Sequence, residues 1–364
     1  MPKQVHVRKD QLDNAQTVEV PAPTIGDGQV LLEVESFSVT SNNITYAVVG
    51  EQIGYWKFFP PFGENVVGKL IVPMWGHAKV VESKSGEVAV GERVYGYLPM
   101  ATHLVVEPGN ISASGFVDMT DYRQPLPPIY NQYSRLAADP EHDPSREAER
   151  MIFGPLFKTG FLLDYFMAAN DWFGAERVIM TSASSKTAIG MASVAKQNSS
   201  DITRVGLTSS GNVDFVKGTG LYDEVLPYDD VGSLSQAPSV SVDFAGNGSL
   251  LASIHQTLGD NLKYSCLVGV THIDERRGPA GQADGLPGPQ PTMFFAPDHA
   301  IAIFKELGPQ VAGKRMAAAW AGFLEAADGT VSIERKQGLD AARETYVEMV
   351  GGSVDPSQGI VVEP

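Results

Sequence analysis

Residues 177–196, RVIMTSASSKTAIGMASVAK, pass from an apolar strand through a turn of small hydroxyl side chains into a helix predicted from Thr187. A triphosphate loop at such a turn needs G-x-x-x-x-G-K-[ST], because glycine amides wrap the phosphates. Lys186 and Thr187 supply its last two residues, but Ser185 and Met180 stand where the glycines belong, which argues against ATP or GTP. A dinucleotide site needs a strand, a tight turn and a helix whose N-terminus faces a pyrophosphate. Ala183, Ser184 and Ser185 make the turn small, and the Ser and Thr187 hydroxyls with Lys186 can stand in for glycine amides. Gly190 is placed for close packing of the helix on the strand. The G-x-G-x-x-G pattern is absent, so a plain N-capped helix is the third reading of the turn.

The next strand, RVGLTSSGNVDF, separates the two cofactor types. An NAD site ends this strand with Asp or Glu, which binds the ribose 2′-hydroxyl. Here Thr208, Ser209, Ser210, Gly211 and Asn212 carry no carboxylate. Hydroxyls and an amide suit a 2′-phosphate that a carboxylate would repel, so NADPH is expected over NADH. Arg204 and Lys217 are candidates for added positive charge.

Other chemistries lack their residues. There is no Tyr-x-x-x-Lys, no G-x-S-x-G elbow and no H-E-x-x-H. The single cysteine, Cys266, excludes an internal disulfide and any multi-cysteine zinc cluster. It lies in the apolar run YSCLVGV, where a buried packing role is expected. A net charge of −16 speaks against nucleic acid and anionic membrane surfaces as partners. No signal-peptide core opens the chain, and no apolar run reaches the roughly 18–20 residues of a membrane span. A cytoplasmic protein is the expectation.

These residues must be positioned by a scaffold that changes character along the chain. Residues 1 to about 110 read as short strands cut by Gly and Pro, without intervening helices, and predict a partly closed β-structure. Residues 118–150 are polar, proline-rich and studded with tyrosines; a lid and an oligomer arm are both open. From about residue 155 strands alternate with helices, which predicts an α/β parallel sheet buried on both faces. A closing helix and strand, GLDAARETYVEMVGG…GIVVEP, end the chain.

With these parts in this order, the chain resembles the medium-chain dehydrogenase/reductase superfamily, on its zinc-free, quinone-oxidoreductase-like side. The resemblance implies a GroES-like, partly open β-barrel domain (1–150, with the 118–150 insert), a Rossmann doubly wound parallel-sheet domain (151–328) and a return to the first domain (329–364). It implies a homodimer formed through MFFAPDHAIAIF. It assigns Ala183 to Thr187 and Gly190 to the pyrophosphate turn, and Ser209, Ser210 and Asn212 to the 2′-phosphate. It sets Tyr228 against the adenosine phosphate, with Gly246, Asn247, Gly269, Val270 and Thr271 at strand ends facing the nicotinamide. Zinc relatives place a Cys in the segment equivalent to SVTSNNITY and a G-H-E motif where this chain has Gly76-His77-Ala78. No metal is therefore expected, and His77 is read as a hydrogen-bonding or packed residue. The other histidines show no ligand spacing.

Hydride transfer to a carbonyl builds negative charge on oxygen, and without a Lewis acid that charge must be delocalised or met by donors. A quinone or α,β-unsaturated carbonyl delocalises it, so reduction of such a compound is the expected reaction. The resemblance points to Ser41, Asn43 and Tyr46 as groups near the nicotinamide. Tyr46 is the first candidate donor and Tyr55 the second. Tyr55, Trp56, Phe58, Phe59 and Trp75 suggest an apolar pocket wall and a hydrophobic or aromatic substrate. The alternative is an NADPH-binding protein without turnover, structural or redox-sensing.

Overall fold

In a computed structural model, which describes residues 1–199, 201–268, 285–352 and 355–364, the chain divides into two units. One comprises Met1–Ile152 with Ser332–Pro364, the other Phe153–Val331.

The first unit is β-rich, as its short Val- and aromatic-rich runs between Gly and Pro require. Its strands are β1 Lys3–Arg8, β2 Gln11–Glu19, β3 Val30–Val39, β4 Lys69–Leu70, β5 Pro73–Ser83, β6 Arg93–Pro99, β7 His103–Val106, β8 Pro108–Gly109, β9 Gly115–Asp118 and β10 Gln132–Arg135, with β17 Ser332–Gln337 and β18 Gln358–Glu363 from the chain end. The large sheet runs β17-β18-β3-β5-β6-β10-β9-β8, with β7 also on β3; β2-β1-β4 form a second. Among the described residues of this unit, β17–β18 is the one parallel pair. Helix α9, Leu339–Val350, buries Tyr346 and Leu339. This is the expected GroES-like layout, with two departures. SNNITYAVVGEQI is helical, forming α1 Ser41–Val48 and α2 Gly50–Ile53, where only strands were expected. The 118–150 segment, read as a long loop, carries a strand at its centre. β10 pairs antiparallel with both β6 and β9, and Arg123, wholly buried, bonds the Asp118 carboxylate at 2.8 Å, the Asn131 amide oxygen at 3.0 Å and the Tyr133 hydroxyl at 3.0 Å.

The second unit follows α3, Glu147–Ala169, with β11 Arg177–Met180, α4 Lys186–Asn198, β12 Thr203–Thr208, α5 Val213–Gly218, β13 Glu224–Pro227, β14 Ser239–Asp243, α6 Gly248–Leu258, β15 Leu262–Leu267, β16 Thr292–Met293, α7 Ala296–Leu307 and α8 Pro309–Ala327. The parallel sheet has the order β13-β12-β11-β14-β15-β16, the doubly wound arrangement whose direction reverses between its first and fourth strands. Ile179, Val205 and Leu207 pack with Leu250, Ile254, Leu258 and Leu262 in a core on one face of this sheet. The reading of Gly190 needs correcting: its bare α-carbon faces helix α3, where an added Cβ would stand 3.1 Å from the Phe157 Cα, and not the strand. Gly160 makes the reciprocal approach: a Cβ added there would stand 2.4 Å from the Met191 amide nitrogen. The two glycines together let α3 and α4 touch backbone to backbone.

Candidate functional site

Strand β11 ends at Met180, and the turn after it is built by backbone and hydroxyl bonds. Ser182 has φ 45°, the left-handed conformation that a dinucleotide fingerprint gives to glycine. The Ala183 amide bonds the Leu207 carbonyl at 3.0 Å, and the Ser185 amide bonds the Ser182 carbonyl at 2.7 Å. Helix α4 starts at Lys186, one residue earlier than expected, because Ser185 is its N-cap and accepts from the Ala188 amide. The Ser185 hydroxyl is thus engaged in capping. The first amides of α4, at Lys186 and Thr187, and the Ser182 and Ser184 hydroxyls are the turn's means of holding an anion.

The end of β12 lies beside this turn. The Asn212 amide donates to the Ser184 hydroxyl at 3.3 Å, and the Tyr228 hydroxyl lies 3.3 Å from that of Ser182. Four predicted or adjacent residues therefore converge from three segments. Ser209 and Ser210 are exposed, and Thr208 is buried with a hydroxyl that has no partner among the described residues. Arg204 does not contribute charge here: it is buried against Asp223, at 2.8 Å, and the Leu221 carbonyl. Lys217 lies in the last turn of α5.

At the end of β14 the buried Asp243 accepts the Thr181 hydroxyl and the amides of Ala245 and Gly246, both at 3.1 Å. Thr181 in turn accepts the Phe244 amide at 3.0 Å. This clamp fixes the turns after β11 and β14 to each other across the point where the strand order reverses. The only sequence signal for it was an acid closing a buried strand. Gly246 has φ 69°, and Asn247 caps α6 by accepting the Leu250 amide at 2.9 Å, so its side-chain oxygen is engaged. Gly269, Val270 and Thr271 lie outside the described residues. Cys266 is buried in β15, and burial, then the Asp243 carboxylate, push its thiol pKa up.

In the first unit the candidate donors sit in a nest of aromatic rings. Tyr46 packs 4.6 Å from Tyr55 and 5.4 Å from Tyr97, centroid to centroid, and Tyr97 lies 4.7 Å from Tyr130. The Tyr46 hydroxyl accepts from the Asn42 amide at 2.7 Å and from the Trp75 indole at 3.0 Å. Its own proton is left for a third group. Burial, then the neighbouring Tyr55, raise the Tyr46 pKa, and burial pushes Tyr55 up to about 12. Both hydroxyls therefore stay protonated at ordinary pH. Tyr55 and Tyr130 share a 2.9 Å bond between hydroxyls, while the buried Tyr97 hydroxyl has no partner among the described residues. Tyr130 and Tyr97 escaped the sequence reading because they come from the insert and from β6. Asn43 has a different job: its oxygen accepts the Thr40 amide at 2.7 Å and its nitrogen donates to the Pro73 carbonyl at 2.8 Å, which fixes the start of α1. Ser41 is half-buried. Phe58 and Phe59 are buried, and Trp56 and Trp75 are half-buried.

His77 is wholly buried on β5, its ring 5.2 Å from that of Tyr95. It is packed, but neither ring nitrogen has a hydrogen-bond partner among the described residues. Burial lowers its pKa to about 3.

A GroES-like unit and a six-stranded doubly wound Rossmann unit in one chain are the fold of the medium-chain dehydrogenase/reductases. The chain belongs to the family described as "Protein of unknown function (DUF2855)", whose family model matches residues 37–355. Among solved structures it is similar to CurA from Vibrio vulnificus in complex with NADPH, at 14% identity and a TM-score of 0.60, over 99% of this chain and 98% of that one. The quinone oxidoreductase of Pseudomonas syringae pv. Tomato DC3000 gives 15% identity and a TM-score of 0.58 over 100% of both chains. A mutant form of enoyl thioester reductase from Candida tropicalis gives 13% and 0.56, over 100% of this chain and 99% of that one. At these identities the likeness establishes the fold. No curated protein matches the chain in sequence. Among the described residues no helix is long and apolar enough to cross a membrane.

Proposed function

We propose that the protein is an NADPH-dependent oxidoreductase that reduces a quinone or an α,β-unsaturated carbonyl compound without zinc at the reacting carbonyl. The observation that carries this reading is the end of β12. Exposed Ser209 and Ser210, with half-buried Asn212, stand where an NAD site would hold a carboxylate, and Asn212 bonds Ser184 in the first turn. NADPH, when bound, supplies the hydride. Ser182, Ser184 and the first amides of α4 would hold its pyrophosphate. Ser209, Ser210 and Asn212 would hold the 2′-phosphate, and Tyr228 would lie against the adenosine phosphate. Tyr46 would meet the developing oxyanion, since its hydroxyl accepts two hydrogen bonds and keeps its proton. The aromatic nest favours a hydrophobic substrate. The names of the similar structures, an NADPH complex, a quinone oxidoreductase and an enoyl thioester reductase, support the same class.

A second reading, NADPH binding without turnover, draws on the burial of Tyr46, Tyr55 and Asn43. Loss of NADPH absorbance with a panel of quinones and enones separates the two. Turnover of any member supports the reductase, and thermal stabilisation by NADPH without turnover of any member supports the second reading. A homodimer through the edge strand β16 and α7 accounts for exposed Met293 and Ile301. Ile301→Asp should then yield a monomer by light scattering, and an unchanged mass would refute that interface.

A further inference from the structure

We propose that His77, His142 and Glu147 bind one divalent first-row transition ion, zinc foremost, which clamps the start of α3 and the segment before it to strand β5. One donor atom from each of the three lies within 4.8 Å of the others, and the His142 Nε2 stands 3.7 Å from the Glu147 Oε1. Donors on a tetrahedral zinc, bound at about 2.0–2.1 Å, sit about 3.3 Å apart, so modest side-chain rotation closes the set.

The independent pointer to a ligand is polar and buried. His77 is 0% exposed, yet neither of its ring nitrogens has a hydrogen-bond partner among the described residues; the Nδ1 of His142 is also buried and unpartnered. A buried polar atom left unpaired costs about 1–3 kcal/mol. A merely packed aromatic position would be filled more cheaply by phenylalanine. Two imidazoles and a carboxylate are the donor set of His₂Glu zinc sites, and nitrogen-oxygen sets of this kind also take other first-row ions.

The surroundings suit a dication. Arg93 grips the Glu147 carboxylate with two bonds, at 2.8 and 3.1 Å, and also bonds Glu35 at 2.7 Å. Arg150 pairs with Asp139 and stands 3.9 Å from Glu141. Four carboxylates thus surround two guanidiniums, and the balance is negative. Arg93 orients Glu147 as an outer-shell partner would, while that carboxylate keeps lone pairs for an ion. His142 and Glu147 retain 12% and 20% side-chain exposure, which provides an entry path to buried His77. The ion would act as a clamp and takes no part in the reduction proposed above.

The test uses the full chain, stripped with a chelator and then titrated with zinc or cobalt(II). Metal per chain after gel filtration, the melting temperature and the visible cobalt spectrum are the readouts. The proposal requires one equivalent bound, a raised melting temperature, a cobalt d–d band, and loss of all three in His142→Ala. Should His142→Ala fail to fold, Glu147→Gln must show an altered cobalt band. Absence of bound metal in the unmodified chain overturns the site. So does His142→Ala, or the folded Glu147→Gln, behaving like the parent in all three readouts.

Discussion

Burial keeps Tyr46 protonated, and because its oxygen is already the acceptor for Asn42 and Trp75, its O–H is left to donate to a third group. Tyr46→Phe should therefore lower kcat by about 10²-fold or more and leave the Kd for NADPH unchanged, as measured by steady-state kinetics and a binding titration. An unchanged kcat would make Tyr46 a packing residue only. The residue scale was also where sequence reading was least complete. It singled out Ser185, Asn43 and Asn247, but each is engaged by a helix start: Ser185 and Asn247 as N-caps, Asn43 as the third residue of α1 reaching back to Thr40. It passed over Ser182 and Asp243. The first shows itself only through a positive φ, the second through bonds reaching back to Thr181.

The Rossmann elements were legible in order and type, since β11, β12 and β14 are short apolar runs, each followed by a helical one. That alternation implies a parallel sheet, whereas the strand order and the switch between β11 and β14 come from the structure. Helix α1 was not legible: SNNITYAV has little helix propensity and is fixed by Asn43 bridging Thr40 and Pro73. Nor was the insert. Its polar, proline-rich composition reads as a free loop, yet the buried pair of Arg123 and Asp118 makes it part of the sheet. Breaking a buried pair from one side leaves an uncompensated charge, so Arg123→Ala should cost about 3–5 kcal/mol in urea unfolding. A change under about 1 kcal/mol would be a surface-like result and would place the pair outside the unit's stable core.

Over the whole molecule, charge and burial set the response to pH. Burial raises the Asp164 pKa from 3.8 to about 6. Its folded-state pKa exceeds its unfolded one, so ionisation opposes folding. The penalty is absent below about pH 4, grows as pH rises to about 6, and stays constant above that, reaching about 3 kcal/mol. Asp164→Asn should melt higher than the parent at about pH 8, and the two curves should converge near pH 4. An equal offset at both pH values would show that packing, not ionisation, makes the difference. The −16 net charge suits a protein whose partners are small molecules, and binding an anionic cofactor against it demands a local site of donors such as the turns after β11 and β12. The most direct test is calorimetric titration of the intact protein with NADPH and with NADH. The account predicts that NADPH binds at least about tenfold more tightly, a difference of about 1.4 kcal/mol assigned to the extra phosphate. Equal affinity for the two, or tighter binding of NADH, would contradict it.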